Sequence, residues 1–149
     1  MPLKPAIFLD RDGTINVEKH YLYKISDWEW REGAKESIKR FHEAGYLVIV
    51  VSNQSGIAQG MYGKEDVQKL HDFVQQELKA SGTYIDAFYF CPHHTNFGSE
   101  ADKNCDCRKP KPGMLLKAAQ EHTIDLSRSW MVGDKIVDTE AGKAAGARS

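Results

Sequence analysis

The sequence predicts an α/β fold, a doubly wound parallel sheet of Rossmann-like type, and three observations predict it. Short apolar runs alternate four times with amphipathic stretches of helical period, the pattern of a parallel sheet covered on both faces. Polar and acidic residues stand at the C-terminal ends of those runs, where ligands bind in such sheets. The chain has 149 residues, 41% hydrophobic and 28% charged, which suits a single globular domain.

The elements follow in order. Ala6 to Asp10 (AIFLD) reads as a buried strand ending in a carboxylate. Ala34 to Ala44 places Ala34, Ile38 and Phe41 at helical spacing, and Gly45 stands where a helix C-terminal glycine belongs. Tyr46 to Asn53 (YLVIVVSN) is apolar on both faces, as a central parallel strand must be. Glu65 to Leu78 is a helix with Val67, Leu70, Phe73, Val74 and Leu78 on one face. Ala87 to Cys91 (AFYFC) is a third strand, and Met114 to His122 a helix with Pro112 and Gly113 at its start. Ser129 to Asp134 (SWMVGD) is a fourth strand, followed by a helix over Asp138 to Ala145 closed by Gly146. Trp28, Trp30 and Trp130 are expected to pack, and His42, His71 and His122 to be surface or packing residues on helices.

Composition excludes several classes. A net charge of −1 gives no field for nucleic acid or an anionic membrane. The basic cluster Arg108 to Lys111 is too short for a nucleic-acid stripe. No apolar run approaches the ~20 residues of a membrane span, and the N-terminus lacks a signal-peptide pattern. Three cysteines, an odd count, speak against a disulfide framework and for a reducing cytosol. The expectation is a cytoplasmic monomer with neither nucleic acid nor membrane as partner.

The strand ends carry the chemistry. Asp10 and Asp12 are two apart, so an extended chain turns both carboxylates to one side, and Gly13 permits a sharp exit. Asp134 arrives from another strand. Carboxylates gathered there repel unless a cation sits among them, and oxygen ligands suit magnesium. Cys91, Cys105 and Cys107, with His93 or His94 as fourth ligand, form C-x-H and C-x-C pairs, a closed set suited to zinc. Such a zinc would staple the loop just before Arg108 and Lys109.

FLDRDGT at Phe8 to Thr14, Ser52 at its strand end, the lysine of CRKP and GDKIVD at Gly133 to Asp138 resemble, in order, the four motifs of the haloacid dehalogenase superfamily of phosphatases. More narrowly, FLDRDGTIN, VVSNQSGIAQG, CPHH, CDCRKP with PGMLL, and MVGDK resemble the branch acting on D-glycero-D-manno-heptose 1,7-bisphosphate, from Ala6 to about Gly146. The resemblance implies removal of the 7-phosphate from this small phosphorylated sugar, in heptose supply for lipopolysaccharide. It makes Asp10 the nucleophile and Asp12 the general acid, then base. Asp134, Asp10 and the carbonyl of Asp12 would hold magnesium, and Asp138 would support that site or cap the last helix. Ser52 and Lys109 would stabilise the transferring phosphoryl group. Arg108 would recognise substrate, with Arg11, Glu18, Lys19, His20, Tyr21, Asn53, Gln54, Ser55 and Lys135 as further contacts. His93 is the favoured fourth zinc ligand.

A histidinol-phosphate phosphatase shares DRDGT and the cysteine motif. NQSG at Asn53 to Gly56 and the eleven residues between His93 and Cys105 favour the heptose branch. A non-catalytic phosphate-binding domain of the same fold is the remaining alternative. The resemblance also implies no large cap domain. Such chains usually continue past the GDK helix into another strand and helix, so residues 1–149 are expected to form one domain lacking those elements, with strand four or its neighbour as an open edge.

Overall fold

Apolar runs without alternation bury fully only where helices cover both faces of a sheet. The computed structural model, which describes residues 2–149, has that arrangement. Strands β1 (Ala6–Leu9), β2 (Leu47–Asn53), β3 (Ala87–Cys91) and β4 (Trp130–Val132) are all parallel, in the order β3-β2-β1-β4. Phe8 sits opposite Ile49 on one side and Met131 on the other. The helices are α1 (Ala34–Glu43), α2 (Lys64–Ala80), α3 (Glu100–Lys103), α4 (Gly113–His122) and α5 (Ile136–Ala145).

Alternate residues of each strand feed opposite cores. Phe8, Ile49 and Val51 pack with Met114, Leu115 and Ala118 of α4 and with Ala141 of α5. Ile7, Leu9, Val48 and Val50 pack on the other face with Ile38 of α1 and Val74 and Leu78 of α2. Burying each larger aliphatic side chain contributes roughly 1.5–3 kcal/mol.

The four predicted helices form with shifted ends. α2 begins at Lys64 because the Asp66 carboxylate accepts from the Gly63 N–H at 2.9 Å. α5 begins at Ile136, two residues before the expected Asp138, whose carboxylate accepts from Lys135 N at 3.2 Å. The single turn α3, capped by Ser99, lies unpredicted inside the β3–α4 loop, being too short to show a helical period. The outer side of β4 is met in part by the end of the chain: Met131 N donates to Arg148 O at 2.7 Å and Arg148 N to Ser129 O at 2.9 Å. Trp28 and Trp30 meet edge to face against the α1–α2 core. Trp130 departs from the packing expectation: it is 38% exposed on the short edge strand, with Arg148 over its ring. His42 ties α1 to the entry of β3 through Asp86 at 2.8 Å. No helix among the described residues is long and apolar enough to cross a membrane.

Candidate active site

β1 delivers the first carboxylate. Asp10 N still bonds Val132 O at 3.0 Å, so this residue continues the sheet rather than starting a free loop. The chain then turns at Gly13, φ +89°, where a Cβ would be strained and would overlap the Asp134 carboxylate. Only glycine lets Asp134 approach β1 so closely. Gly133 does the same for Asp138, whose carboxylate occupies the space a Cβ would take.

Lys109 is the electrostatic centre of the site. Its ammonium is buried and donates to Asp10 Oδ1 at 2.8 Å, Asp138 Oδ1 at 2.7 Å and Val51 O at 2.9 Å. Asn53 brackets its backbone from both sides: Lys109 N donates to Asn53 Oδ1 at 3.0 Å, and Asn53 Nδ2 to Lys109 O at 3.2 Å. Burial pushes the Asp10 carboxyl up to about 6; Lys109 opposes that shift, and the like charge of Asp138 adds to it. Asp10, Asp134 and Asp138 bring carboxylate oxygens within 4.8 Å of one another. Lys109 bridges two of them, and among the described residues Asp134 has no cationic partner. Such an excess of negative charge on hard oxygen donors fits a divalent cation such as magnesium. Asp138 caps α5 with Oδ2 and accepts from Lys109 with Oδ1, beside Asp10 and Asp134.

Asp12 is held rather than free. Its Oδ1 accepts from Arg11 Nε at 3.2 Å and Asn16 Nδ2 at 3.0 Å, and its Oδ2 from Gln54 Nε2 at 3.1 Å. Arg11 Nη2 reaches both oxygens, at 3.0 and 3.1 Å. Arg11, expected among the substrate contacts, has its side chain buried and turned inward. Gln54 is also buried, donating to Ser52 Oγ at 2.7 Å and accepting from Tyr62 OH at 2.6 Å. The Asn53 and Gln54 side chains thus brace Lys109, Ser52 and Asp12, although both line the cleft as well.

That cleft, about 320 Å³, opens over Asp10, Asp12 and Lys109. Its rim includes Glu18, His20, Tyr21, Ser55, Arg108 and Lys135. His20 and Tyr21 both have positive φ, 50° and 59°, a conformation costly for side-chain-bearing residues and frequent at functional sites. Glu18 accepts from His20 N at 2.7 Å and so holds the turn. Arg108 Nη1 donates to His93 O at 3.2 Å, tying the rim to the cysteine loop. Lys19, expected among the substrate contacts, pairs with Glu29 at 3.3 Å, both partly in solvent. Tyr62 and Asn16 were not anticipated. Asn16 follows the DRDG turn and was legible only as a loop residue; Tyr62 lies eight residues beyond the Gln54 it serves.

Below the rim, Cys91, His93, Cys105 and Cys107 converge within 4.8 Å. Cys91 Sγ lies 3.7 Å from Cys105 Sγ and 3.8 Å from His93 Nδ1, and Cys107 Sγ lies 3.5 Å from His93 Nδ1. Tetrahedral zinc with ligands at about 2.0–2.3 Å separates its ligand atoms by roughly 3.5–3.8 Å. The Cys91 and Cys107 sulfurs are drawn into contact as a disulfide pair would be, with Cα atoms 5.5 Å apart, and Cys105 is free. A bridge alone would leave Cys105 and His93 converging on spent sulfurs, whereas a metal uses all four. His94 points elsewhere, accepting from Asn96 N at 3.0 Å. His93 Nε2 faces Asp102 Oδ1 at 3.5 Å, the outer partner a metal-binding imidazole normally has.

Comparison with known proteins agrees with this geometry. A family model described as HAD-hydrolase-like matches residues 106–149. The D-glycero-beta-D-manno-heptose-1,7-bisphosphate 7-phosphatase of Pasteurella multocida is 45% identical over 143 residues, 96% of this chain and 78% of that protein. The crystal structure of D,D-heptose 1,7-bisphosphate phosphatase from B. bronchiseptica, complexed with magnesium and phosphate, superposes with TM-score 0.85 at 33% identity, covering 96% of this chain and 77% of that one. A HAD-like protein of Mesorhizobium loti reaches TM-score 0.92 at 39% identity, over 99% and 71% of the two chains. Ordered motifs, sheet topology and near-full-length identity agree, and the chain belongs to the haloacid dehalogenase-like hydrolases, in the family of the D-glycero-beta-D-manno-heptose-1,7-bisphosphate 7-phosphatases.

Proposed function

We propose that this chain is a magnesium-dependent phosphatase that removes the 7-phosphate from D-glycero-D-manno-heptose 1,7-bisphosphate, in the cytoplasm, as a step in heptose supply for lipopolysaccharide. The observation that carries the reading is the meeting of Asp10, Lys109, Asp134 and Asp138 at one strand-end edge in a chain 45% identical to a heptose-1,7-bisphosphate 7-phosphatase.

Asp10 Oδ1 is engaged by Lys109, while Oδ2 has no side-chain donor among the described residues. Oδ2 attacks phosphorus and forms an aspartyl-phosphate as the bond from phosphorus to the sugar O7 breaks. Asp12 enters this step in its protonated form and gives that proton to the departing O7. It then takes a proton from the water that attacks the phospho-aspartate, releasing inorganic phosphate and restoring both carboxyl groups. Lys109, on the cleft wall, would face the charge on the phosphoryl oxygens, and Ser52, buried beside Gln54 at the end of β2, would support it. Magnesium, which Asp10, Asp134 and the Asp12 carbonyl would hold, supplies positive charge that offsets carboxylate–phosphate repulsion. Arg108 on the rim suits the remote phosphate, because a guanidinium takes phosphate bidentately.

The zinc reading assigns Cys91, His93, Cys105 and Cys107 as ligands in a closed set, with the sulfurs as separate thiolates. With no open coordination position, its function is to fix the loop that carries Arg108 and Lys109. The chain is read as a monomeric single domain over residues 1–149. Initial rates of phosphate release, with and without magnesium, across sugar bisphosphates and histidinol phosphate test the proposal. The heptose 1,7-bisphosphate should lead in kcat/KM; preference for histidinol phosphate would overturn the substrate assignment.

A further inference from the structure

The Asp12 carboxyl is gripped by side chains that the chemistry above does not use. Arg11, only 1% exposed, spends its guanidinium inward. Nε and Nη2 go to Asp12, Nη2 also donates to Leu22 O at 3.0 Å, and Nη1 donates to His71 Nε2 at 3.2 Å. His71 belongs to α2, 60 residues along the chain. It is itself 2% exposed, and its ring stacks on Phe88 of β3 with centroids 4.4 Å apart.

Consecutive residues of an extended chain point to opposite sides, so a side chain reaching back to its neighbour's carboxylate needs a reason to stay there. A buried guanidinium left without an acceptor is costly, and His71 supplies that acceptor. Burial and the Arg11 charge push His71 down to about 3, so the ring is neutral and keeps a lone pair on Nε2 at working pH. Its stack on Phe88 fixes the direction of that lone pair. The planar fork of Arg11 transmits the direction to both Asp12 oxygens.

We propose that Arg11 and His71 are positioning residues for proton transfer, a buried brace that aims the Asp12 carboxyl at the leaving oxygen from the far side of the sheet. The proposal rests on the reading of Asp12 as the proton donor. It distinguishes proton delivery from mere packing, because only a substrate whose leaving group needs a proton should suffer when the aim is lost.

The test compares kcat/KM for the heptose bisphosphate with kcat/KM for 4-nitrophenyl phosphate. Nitrophenolate departs unprotonated, and kcat/KM extends only through the first irreversible step, so the later base role of Asp12 does not mask the result. His71→Phe keeps a ring against Phe88 but offers no acceptor; Arg11→Lys keeps the charge but not the fork. Each should lower kcat/KM for the bisphosphate about tenfold or more, within the range of general acid catalysis, and that for nitrophenyl phosphate less than about threefold. His71→Gln, which restores an acceptor, should stay within about threefold of the parent on both. Equal losses on the two substrates, or no loss in either variant, would overturn the brace. Should circular dichroism find His71→Phe unfolded, Arg11→Lys decides. Asp12→Asn separates this proposal from the reading beneath it. If Asp12→Asn also loses both substrates equally, Asp12 is not the donor and that reading fails. If Asp12→Asn is selective and His71→Phe is not, only the brace fails.

Discussion

Acid should unfold this protein partly through His71, and the size of the effect follows from its surroundings. The buried ring, beside the Arg11 guanidinium, has its pKa depressed to about 3, whereas an exposed histidine in the unfolded chain titrates near 6.5. Between those values the unfolded chain binds a proton that the folded chain refuses. Stability from this residue is therefore full above about pH 6.5 and is lost as pH falls toward 3. From pH 7 to pH 4 the loss is about 3 kcal/mol. Asp10 acts in the opposite sense: its raised folded pKa, about 6, makes stability fall as pH rises from 3.8 to that value. Comparing the parent with His71→Gln cancels Asp10 and every other shared group. Urea unfolding at pH 7 and pH 4 measures the difference. The parent should lose about 3 kcal/mol more than the variant over that interval, a midpoint displacement of about 1–3 M urea. An equal loss in both proteins would refute a neutral, buried His71.

Three further outcomes follow from the site. Asp10→Asn should abolish turnover with the fold intact by circular dichroism, since an amide cannot form the phospho-enzyme; residual activity within about tenfold of the parent, ~1.4 kcal/mol of barrier, would contradict the nucleophile assignment. Arg108→Ala should cost kcat/KM far more on the bisphosphate than on a monophosphate, because remote binding energy acts at the reacting centre; equal losses would remove the guanidinium from phosphate recognition. Asp102→Asn should weaken zinc about 10–100-fold in a competition titration with a chelator, with magnesium dependence unchanged, if Asp102, which faces the outer nitrogen of His93, orients that ring; unaltered zinc affinity would contradict that role.

Much of this architecture is legible in the sequence, because the signals are local. The run YLVIVVSN can be buried on both faces only as a central parallel strand, and β2 lies between β1 and β3. Asp10, Asp12 and Gly13 announce a strand end and a turn within four letters, and the three cysteines announce a candidate ligand set whose fourth member, His93 or His94, spacing alone leaves open. What could not be read was direction. Arg11, Asn53 and Gln54 are polar residues beside a site, and only the fold decides whether such a side chain meets substrate or its neighbours. Arg11 turns inward because His71 and Leu22 O accept it there, partners 60 and 11 residues away. His71 did leave a trace: it stands four residues after Val67 and three before Val74, on the buried stripe of α2. Tyr62 left none, since nothing periodic links it to Gln54.

The central claim is that this cleft directs Asp10 to the 7-phosphate of a heptose 1,7-bisphosphate. Phosphorus-31 NMR of the bisphosphate incubated with the magnesium-loaded protein tests it most directly, because the two phosphates give separate resonances. The account predicts that the 7-phosphate signal converts to inorganic phosphate while the 1-phosphate signal persists, and that Asp10→Asn leaves both unchanged. Loss of the 1-phosphate first, or no change with the parent protein, would contradict it.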